Sequence, residues 1–210
     1  IYIFDTMVLA DILKEMPEAN DFGKEILPAV ISNFPVSAFV FNGYWADIGT
    51  VRSFFDANID LVRPVPEFNL FDMIMPIYTN PRFLPAAKVN RATVEHSLIC
   101  EGCIVEQATL RNSILGVRTH VMEGTCIEES LVMGADYYPE EAAMAGLSAP
   151  APRISEGTYL RRAIIDKNVL IGRNVRLVNE KGLTTYDDPA GQIYVRDGII
   201  VVAKEAVIPD

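Results

Sequence analysis

Few residues in this chain have types and spacings suited to chemistry, and they lie in short, separated runs. Tyr44-Trp45-Ala46-Asp47-Ile48-Gly49-Thr50 presents one carboxylate between an aromatic ring and a glycine. A carboxylate at a strand end can bind Mg2+ while leaving most of the coordination to phosphates and water. The alternative is a helix-entry carboxylate beside Thr50 as N-cap. Asn20-Asp21-Phe22-Gly23-Lys24 combines short acceptors, an aromatic ring and a loose backbone, which suits sugar hydroxyls and equally suits a helix cap. His96 and His120 stand among polar neighbours, either as a general base for acyl transfer or as outward coil positions. Cys100-Glu101-Gly102-Cys103 has CxxC spacing, but neither a second pair nor a nearby histidine pair completes a four-ligand zinc site. Those thiols read as core or turn groups. Cations gather late in the chain, at Arg161, Arg162, Lys167, Arg173, Arg176, Arg196 and Lys204, with Arg82 ahead of them. They are solvated corners unless several converge, in which case they form an anion site for a phosphorylated metabolite.

The 210 residues carry a net charge of −10 and are half apolar, which excludes disorder, collagen and a mucin-like stalk. An acidic chain is repelled by nucleic acid and by anionic membranes, so neither is expected as a partner. No run of 18 apolar residues offers a membrane span. Three cysteines without a signal peptide point to free thiols and a cytoplasmic location. A start at Ile1 inside an apolar run, and an end inside a repeating pattern, read as a piece of a longer chain.

The elements that must position these residues follow from periodicity. Residues 1–62 read as alternating helix and strand. Helix is expected over Thr6–Met16, ended by Pro17, and again from about Lys24, capped by Asn20 or Asp21. Val36–Phe41 is expected as a strand, and Asn42-Gly43 as a hairpin turn that delivers Asp47 to a strand-to-helix turn before a helix capped by Thr50. Five prolines between Arg63 and Pro85 mark a linker. Beyond it, apolar residues recur at five to six: Val89, Val94, Ile99, Ile104, Leu110, Leu115, Val121, Ile127 and Val132. The repeat returns at Ala163, Val169 and Val175, and at Ile165, Ile171 and Leu177. This hexapeptide period predicts a parallel β-helix, with the Pro- and Ala-rich stretch between 134 and 155 looped out.

Five motifs in order carry a family resemblance: Asn20-Asp21-Phe22-Gly23, Tyr44 to Thr50, Pro76-Ile77-Tyr78-Thr79, Gly134-Ala135-Asp136-Tyr137-Tyr138, and Ile164-Ile165-Asp166-Lys167-Asn168. Together they resemble the glucose-1-phosphate adenylyltransferase (ADP-glucose pyrophosphorylase) family. The resemblance implies an α/β plus all-β fold class. Residues 1–66 would be the C-terminal part of a nucleotidyltransferase domain, 67–87 a linker, and 88–210 a left-handed β-helix for regulation and oligomerisation. It implies adenylyl transfer from ATP to glucose 1-phosphate with Mg2+. Asp47 is then the catalytic, metal-binding carboxylate, and Asp21, Phe22 and Trp45 line the sugar-phosphate pocket. Arg82, Lys167 and Lys204 match residues of anion-effector sites, with 3-phosphoglycerate as activator and inorganic phosphate as inhibitor in an allosteric homotetramer. The family's Gly-rich, Arg-containing nucleotide loop, first metal-binding Asp and sugar-phosphate Lys have no counterpart in this sequence, so the 210 residues alone are expected to be inactive. A bifunctional enzyme with an acetyltransferase β-helix, using His96, and a non-catalytic regulatory β-helix subunit are the alternatives.

Overall fold

The computed structural model describes residues 1–144 and 152–210. The chain forms two compact units, residues 1–43 and 44–210.

In the first unit, α1 (Thr6–Glu15) begins where the Asp5 carboxylate accepts hydrogen bonds from the Met7 and Val8 N–H groups. It ends just ahead of Pro17, as expected from a residue without an N–H. A π-helical turn over Phe22–Ile26 runs directly into α2 (Leu27–Val30). Pro28 is tolerated there because N–H groups in a first turn have no intrahelical acceptor. Ile12, Ile26 and Val30 bury together, with Phe4, Val8, Met16, Ala19 and Phe34 packed around them. The strand expected at Val36–Phe41 and the hairpin at Asn42-Gly43 do not form; among the described residues the first strand is Lys88–Asn90. A strand needs a neighbour to take up its N–H and C=O groups. No strand lies beside this segment, and Val36, Phe39, Val40 and Phe41 stay exposed.

The second unit starts with α3 (Val51–Asp60), which is entered through a reciprocal cap: Thr50 Oγ1 accepts from the Ser53 N–H while Ser53 Oγ accepts from the Thr50 N–H. No helix or strand follows until Lys88, in keeping with the five prolines. From Lys88 onward the chain winds through three sheets of parallel strands. Lys88–Asn90, Thr93–Glu95 and Leu98–Ile99 open them, and each pairs with a strand 16 residues later. Subsequent coils advance by 16 or 17 residues. Stepping from Val121 to Ile154 takes 33 residues, so an insertion about one coil long leaves the stack there and the register then resumes. Its flank carries α4 (Pro139–Met144), and residues 145–151 of the expected loop lie outside the described residues. A second insertion separates Ile171 from Ile208 and folds as an antiparallel ribbon, Thr185–Asp187 with Ile193–Arg196, attached to Ile199–Val202.

Inward side chains stack in three columns set by the register: Val89-Val105-Val121-Ile154-Ile171-Ile208, Val94-Leu110-Ile127-Leu160-Leu177, and Ile99-Leu115-Val132-Ile165-Val202. From the second coil on these residues are buried, but Val89 and Val94 of the first coil are exposed because nothing stacks on that side. One expected core position shifts by a residue: Val105, fully buried, points inward, and Ile104 is its half-buried neighbour.

Polar columns cover the outside of the second sheet. Glu95, Arg111 and Glu128 are register partners, and Arg111 bridges both carboxylates at 3.3 and 2.9 Å. The Tyr159 hydroxyl donates to Glu128 at 2.7 Å and, ahead of Arg111, holds that carboxyl below its ordinary pKa. The third sheet is different: its outward column, Leu98-Ile114-Leu131-Ile164-Val201, is aliphatic throughout. Leu131, Ile164 and Ile199 bury Phe55 of α3, with Val51, Phe54, Ile59, Ile114 and Val201 around them.

Truncating Leu110 to Ala removes a fully buried knob and is expected to cost about 2–5 kcal/mol. Val89→Ala, at 47% exposure in the first coil, should cost less than about 1 kcal/mol. Urea denaturation followed by far-UV circular dichroism checks both, and equal losses would refute the column as the source of stability.

Candidate functional site

Asp47 lies three residues ahead of Thr50, the N-cap of α3, and is exposed, with its Oδ1 accepting from the Gly49 N–H at 3.2 Å. It sits in a turn entering a helix, as expected, but no strand precedes it. Trp45 is 64% exposed, and Tyr44 stacks against Phe68 with centroids 6.1 Å apart. One Asp47 oxygen is engaged within the turn, and no group of three or more His, Cys, Asp or Glu side chains capable of holding a metal occurs among the described residues. The one carboxylate that this turn itself offers a cation is Asp47. That suits Mg2+, which keeps water and phosphate ligands, and does not suit an all-protein cage.

Asp21 and Phe22 belong to the first unit. Asp21 Oδ1 caps the π-helical turn, accepting from the Gly23 and Lys24 N–H groups at 2.8 Å each, and Glu25 reaches back to the Asn20 N–H at 2.7 Å. The capping role weighed for this segment is therefore real. Phe22 is partly exposed and its ring is tilted against Phe4 at 5.7 Å.

The cations do not spread evenly around the coils. Ile164 and Val201 are register partners on adjacent coils, and three residues after each stand Lys167 and Lys204, with the Glu205 N–H donating to Lys167 O. Asp136 comes to the same corner. Gly134, at φ +87°, makes the turn that brings it there; a side chain at 134 would run into the Val117 carbonyl. Lys167 Nζ meets Asp136 Oδ1 at 2.6 Å, Asn168 Nδ2 donates to Asp136 Oδ2 at 3.2 Å, and the Asp136 N–H donates to Asn168 Oδ1 at 2.8 Å. The Lys167 hydrogen bond holds the Asp136 carboxyl below its ordinary pKa, with further help from Asn168 and from the charge of Lys204. Lys204 itself faces Glu205 at 3.9 Å. Lys167 and Lys204 thus converge, and Asp136 and Asn168 complete the corner.

Arg82 is placed elsewhere. It lies in the 79–84 segment over Cys100, Glu101 and Val117, beside an open cleft of about 670 Å³. His96 is an exposed coil corner at φ +44°, and His120 is half-buried in a strand of the first sheet. Cys103 is buried and donates to the Gly116 carbonyl at 3.1 Å; burial pushes its thiol up to about 11. Arg162 is held by Glu129 at 3.1 Å, Arg173 by Glu156 at 3.3 Å and Arg176 by Glu180 at 2.9 Å. Those three are paired coil positions rather than one site.

A stack of parallel coils beneath a helix, with a carboxylate-bearing turn at the head of that helix, defines a β-helix protein joined to a segment of different descent. Residues 82–210 match the GLGC left-handed parallel beta-helix domain, and residues 1–63 match the nucleotidyl transferase family. The chain belongs to the family of that left-handed β-helix domain, and the pair of matches places it among sugar nucleotidyltransferases. Among the described residues, no helix is long and apolar enough to cross a membrane.

Reading for single reactive residues missed Asp136 and Asn168. Asp136 lies in one of the five motifs but drew no role, because its partner is 31 residues away. The folded pKa of Asp136 lies below its ordinary value of about 3.9, so the pair's stabilisation is intact above that value and is lost as pH falls through the folded pKa. Because both side chains are about one-third exposed, at 33% and 38%, the loss should be no more than about 1 kcal/mol. Urea midpoints between about pH 6 and pH 3 should fall more steeply for the unaltered chain than for Asp136→Asn; parallel curves would refute the contribution.

Proposed function

We propose that this chain is the regulatory β-helix and adjoining active-site segment of a glucose-1-phosphate adenylyltransferase. The observation that carries the reading is the corner where Lys167, paired with Asp136, lies on the coil next to that of Lys204, on the same unit as the Trp45-Ala46-Asp47 turn. Two lysines carried on adjacent coils, whose main chains are about 4.8 Å apart, offer two cations to the oxygens of a phosphate or a small phosphorylated acid.

In the reaction, a phosphate oxygen of glucose 1-phosphate attacks the α-phosphorus of ATP, and pyrophosphate leaves. Mg2+, when bound, neutralises charge on the phosphates. Asp47 would hold it through Oδ2, since Oδ1 already accepts from the Gly49 N–H. Trp45 offers an exposed ring face on which a sugar packs. Asp21 Oδ1 is committed to its turn, which leaves Oδ2 to accept from a sugar hydroxyl, with the Phe22 ring beside it. Positioning provides most of the acceleration in such transfers. The Lys167–Lys204 corner takes 3-phosphoglycerate or inorganic phosphate, and Arg82, in its own cleft, takes part in the inhibitory anion's binding. The whole enzyme is a cytoplasmic homotetramer.

Joined to a Gly-rich nucleotide loop and the remainder of the transferase domain, the chain should form ADP-glucose and pyrophosphate. Asp47→Asn should lower kcat by about 10²-fold or more, the scale seen when one charge-stabilising group is removed. The 210 residues alone should form no product. Another nucleotide sugar as product, or unchanged kcat in the variant, would overturn the assignment. Calorimetric titration of the 210-residue chain with 3-phosphoglycerate and with phosphate should give heat that Lys167→Ala abolishes. Asp136→Asn should tighten binding several-fold, since the anion no longer displaces an internal carboxylate from Lys167; weaker binding in that variant would refute the competition.

A further inference from the structure

We propose that α3 transmits the state of the Lys167–Lys204 corner to the Trp45–Asp47 turn, with Phe55 and Arg52 as positioning residues; this rests on the reading of that corner as an anion site. The outward face of the third sheet is aliphatic where α3 covers it. On the second sheet the equivalent face carries Glu95, Arg111 and Glu128, which water and ion pairs satisfy. On the third, Leu131, Ile164 and Ile199 close over Phe55, which is only 2% exposed. The Arg162 guanidinium lies 5.7 Å above the Phe55 ring, and Arg52 Nη2 donates to the Asp197 carbonyl at 2.6 Å. The helix is therefore clamped at its first turn and at its middle.

The strands beneath that clamp are Leu131–Val132, Ala163–Ile165 and Ile199–Val202, and the last two each end two residues before a lysine of the corner. Ile164 sits in Ala163–Ile165, three residues before Lys167; Ile199 and Val201 sit in Ile199–Val202, just before Lys204. Lys167 has two alternative partners, the Asp136 carboxylate that it holds in this structure and an incoming anion. Exchanging one for the other changes the pull on the end of its strand. Packed interfaces shift as units rather than deforming continuously. The knob on that strand is Ile164, and Phe55 rests on it. At the N-terminal end of the helix, the Thr50–Ser53 cap and the Asp47–Gly49 hydrogen bond tie the turn to the first residues of α3. A small shift of α3 therefore carries Asp47 and Trp45 with it.

Trp45 is the chain's only tryptophan and lies two residues from Asp47, so it reports directly on this turn. The test titrates the 210-residue chain with inorganic phosphate and with 3-phosphoglycerate, following heat and Trp45 fluorescence together. Binding should change the emission, and both signals should saturate at the same concentration. Arg52→Ala, at the edge of the packed face and outside the lysine corner, should keep the binding constant within about twofold, the spread expected of separate sites, while most of the Trp45 response disappears. Phe55→Leu, which keeps the contact apolar, should retain more of the response than Phe55→Ala; near-identical circular dichroism spectra confirm that each variant is folded. Heat without a Trp45 change, or an undiminished response in Arg52→Ala and Phe55→Ala, overturns the coupling and leaves the anion site standing. No heat from either anion overturns the anion-site reading itself, and the coupling falls with it.

Discussion

Parallel stacking in register is the constraint on which the rest of this structure depends. Each coil's aliphatic residues lie on those of the next, from Val105 to Val121 to Ile154 and from Leu110 to Ile127 to Leu160, while main-chain hydrogen bonds run along the stack. Neither contribution is available to a single coil, since one turn of such a helix buries almost nothing. Because the register is continuous, chain that cannot stack has to leave and return without changing the phase. The insertion after Val132 does so by consuming about one coil length, and the later ribbon does so by pairing antiparallel with the strand that re-enters. Two contacts of the candidate corner and of α3 come from these departures: Asp136 is on the first insertion, and Asp197, which Arg52 holds, is at the end of the second.

Much of the architecture was legible in the sequence because the hexapeptide period is a direct image of the triangular coil. Capping at Thr50 and at Asp21 and the stop at Pro17 were equally local and equally readable. The strand expected at Val36–Phe41 was not, because β-propensity describes a side chain's fit to a pleated surface and supplies no neighbouring strand. The slip from Ile104 to Val105 has a related cause. Where two aliphatics adjoin, periodicity alone does not say which of them points inward. That ambiguity also held information: Leu98-Ile99, Ile114-Leu115, Leu131-Val132, Ile164-Ile165 and Val201-Val202 are doubled aliphatics in successive strands of one sheet. Alternation is the rule for a face in water, so its repeated failure on one sheet marks the face that α3 covers.

The site was legible only residue by residue. Asp47, Trp45 and Lys167 stand in recognisable motifs, but what makes a corner of Lys167 and Lys204 is the register offset of 37 residues between their coils, which no local pattern announces. Asp136 entered for the same reason, through a glycine turn that aims it at a lysine 31 positions away. Arg82 shows the reverse case. It shares its charge with the corner lysines, and the fold gives it different neighbours.

The antiparallel ribbon has a bearing on how the molecule behaves in a crowded solution. Thr185–Asp187 is the outermost strand of the third sheet, and its partner beside it supplies Arg196 against Asp187. A solenoid that ended on a parallel aliphatic strand would offer open main-chain donors and acceptors as a template for a foreign strand. Here the sheet instead finishes on three residues that include a threonine and an ion-paired aspartate, twisted out of the parallel stack. Over the described residues, the second insertion thus leaves the outer edge of this sheet on a short, ion-paired strand that makes a poor template for edge-to-edge pairing.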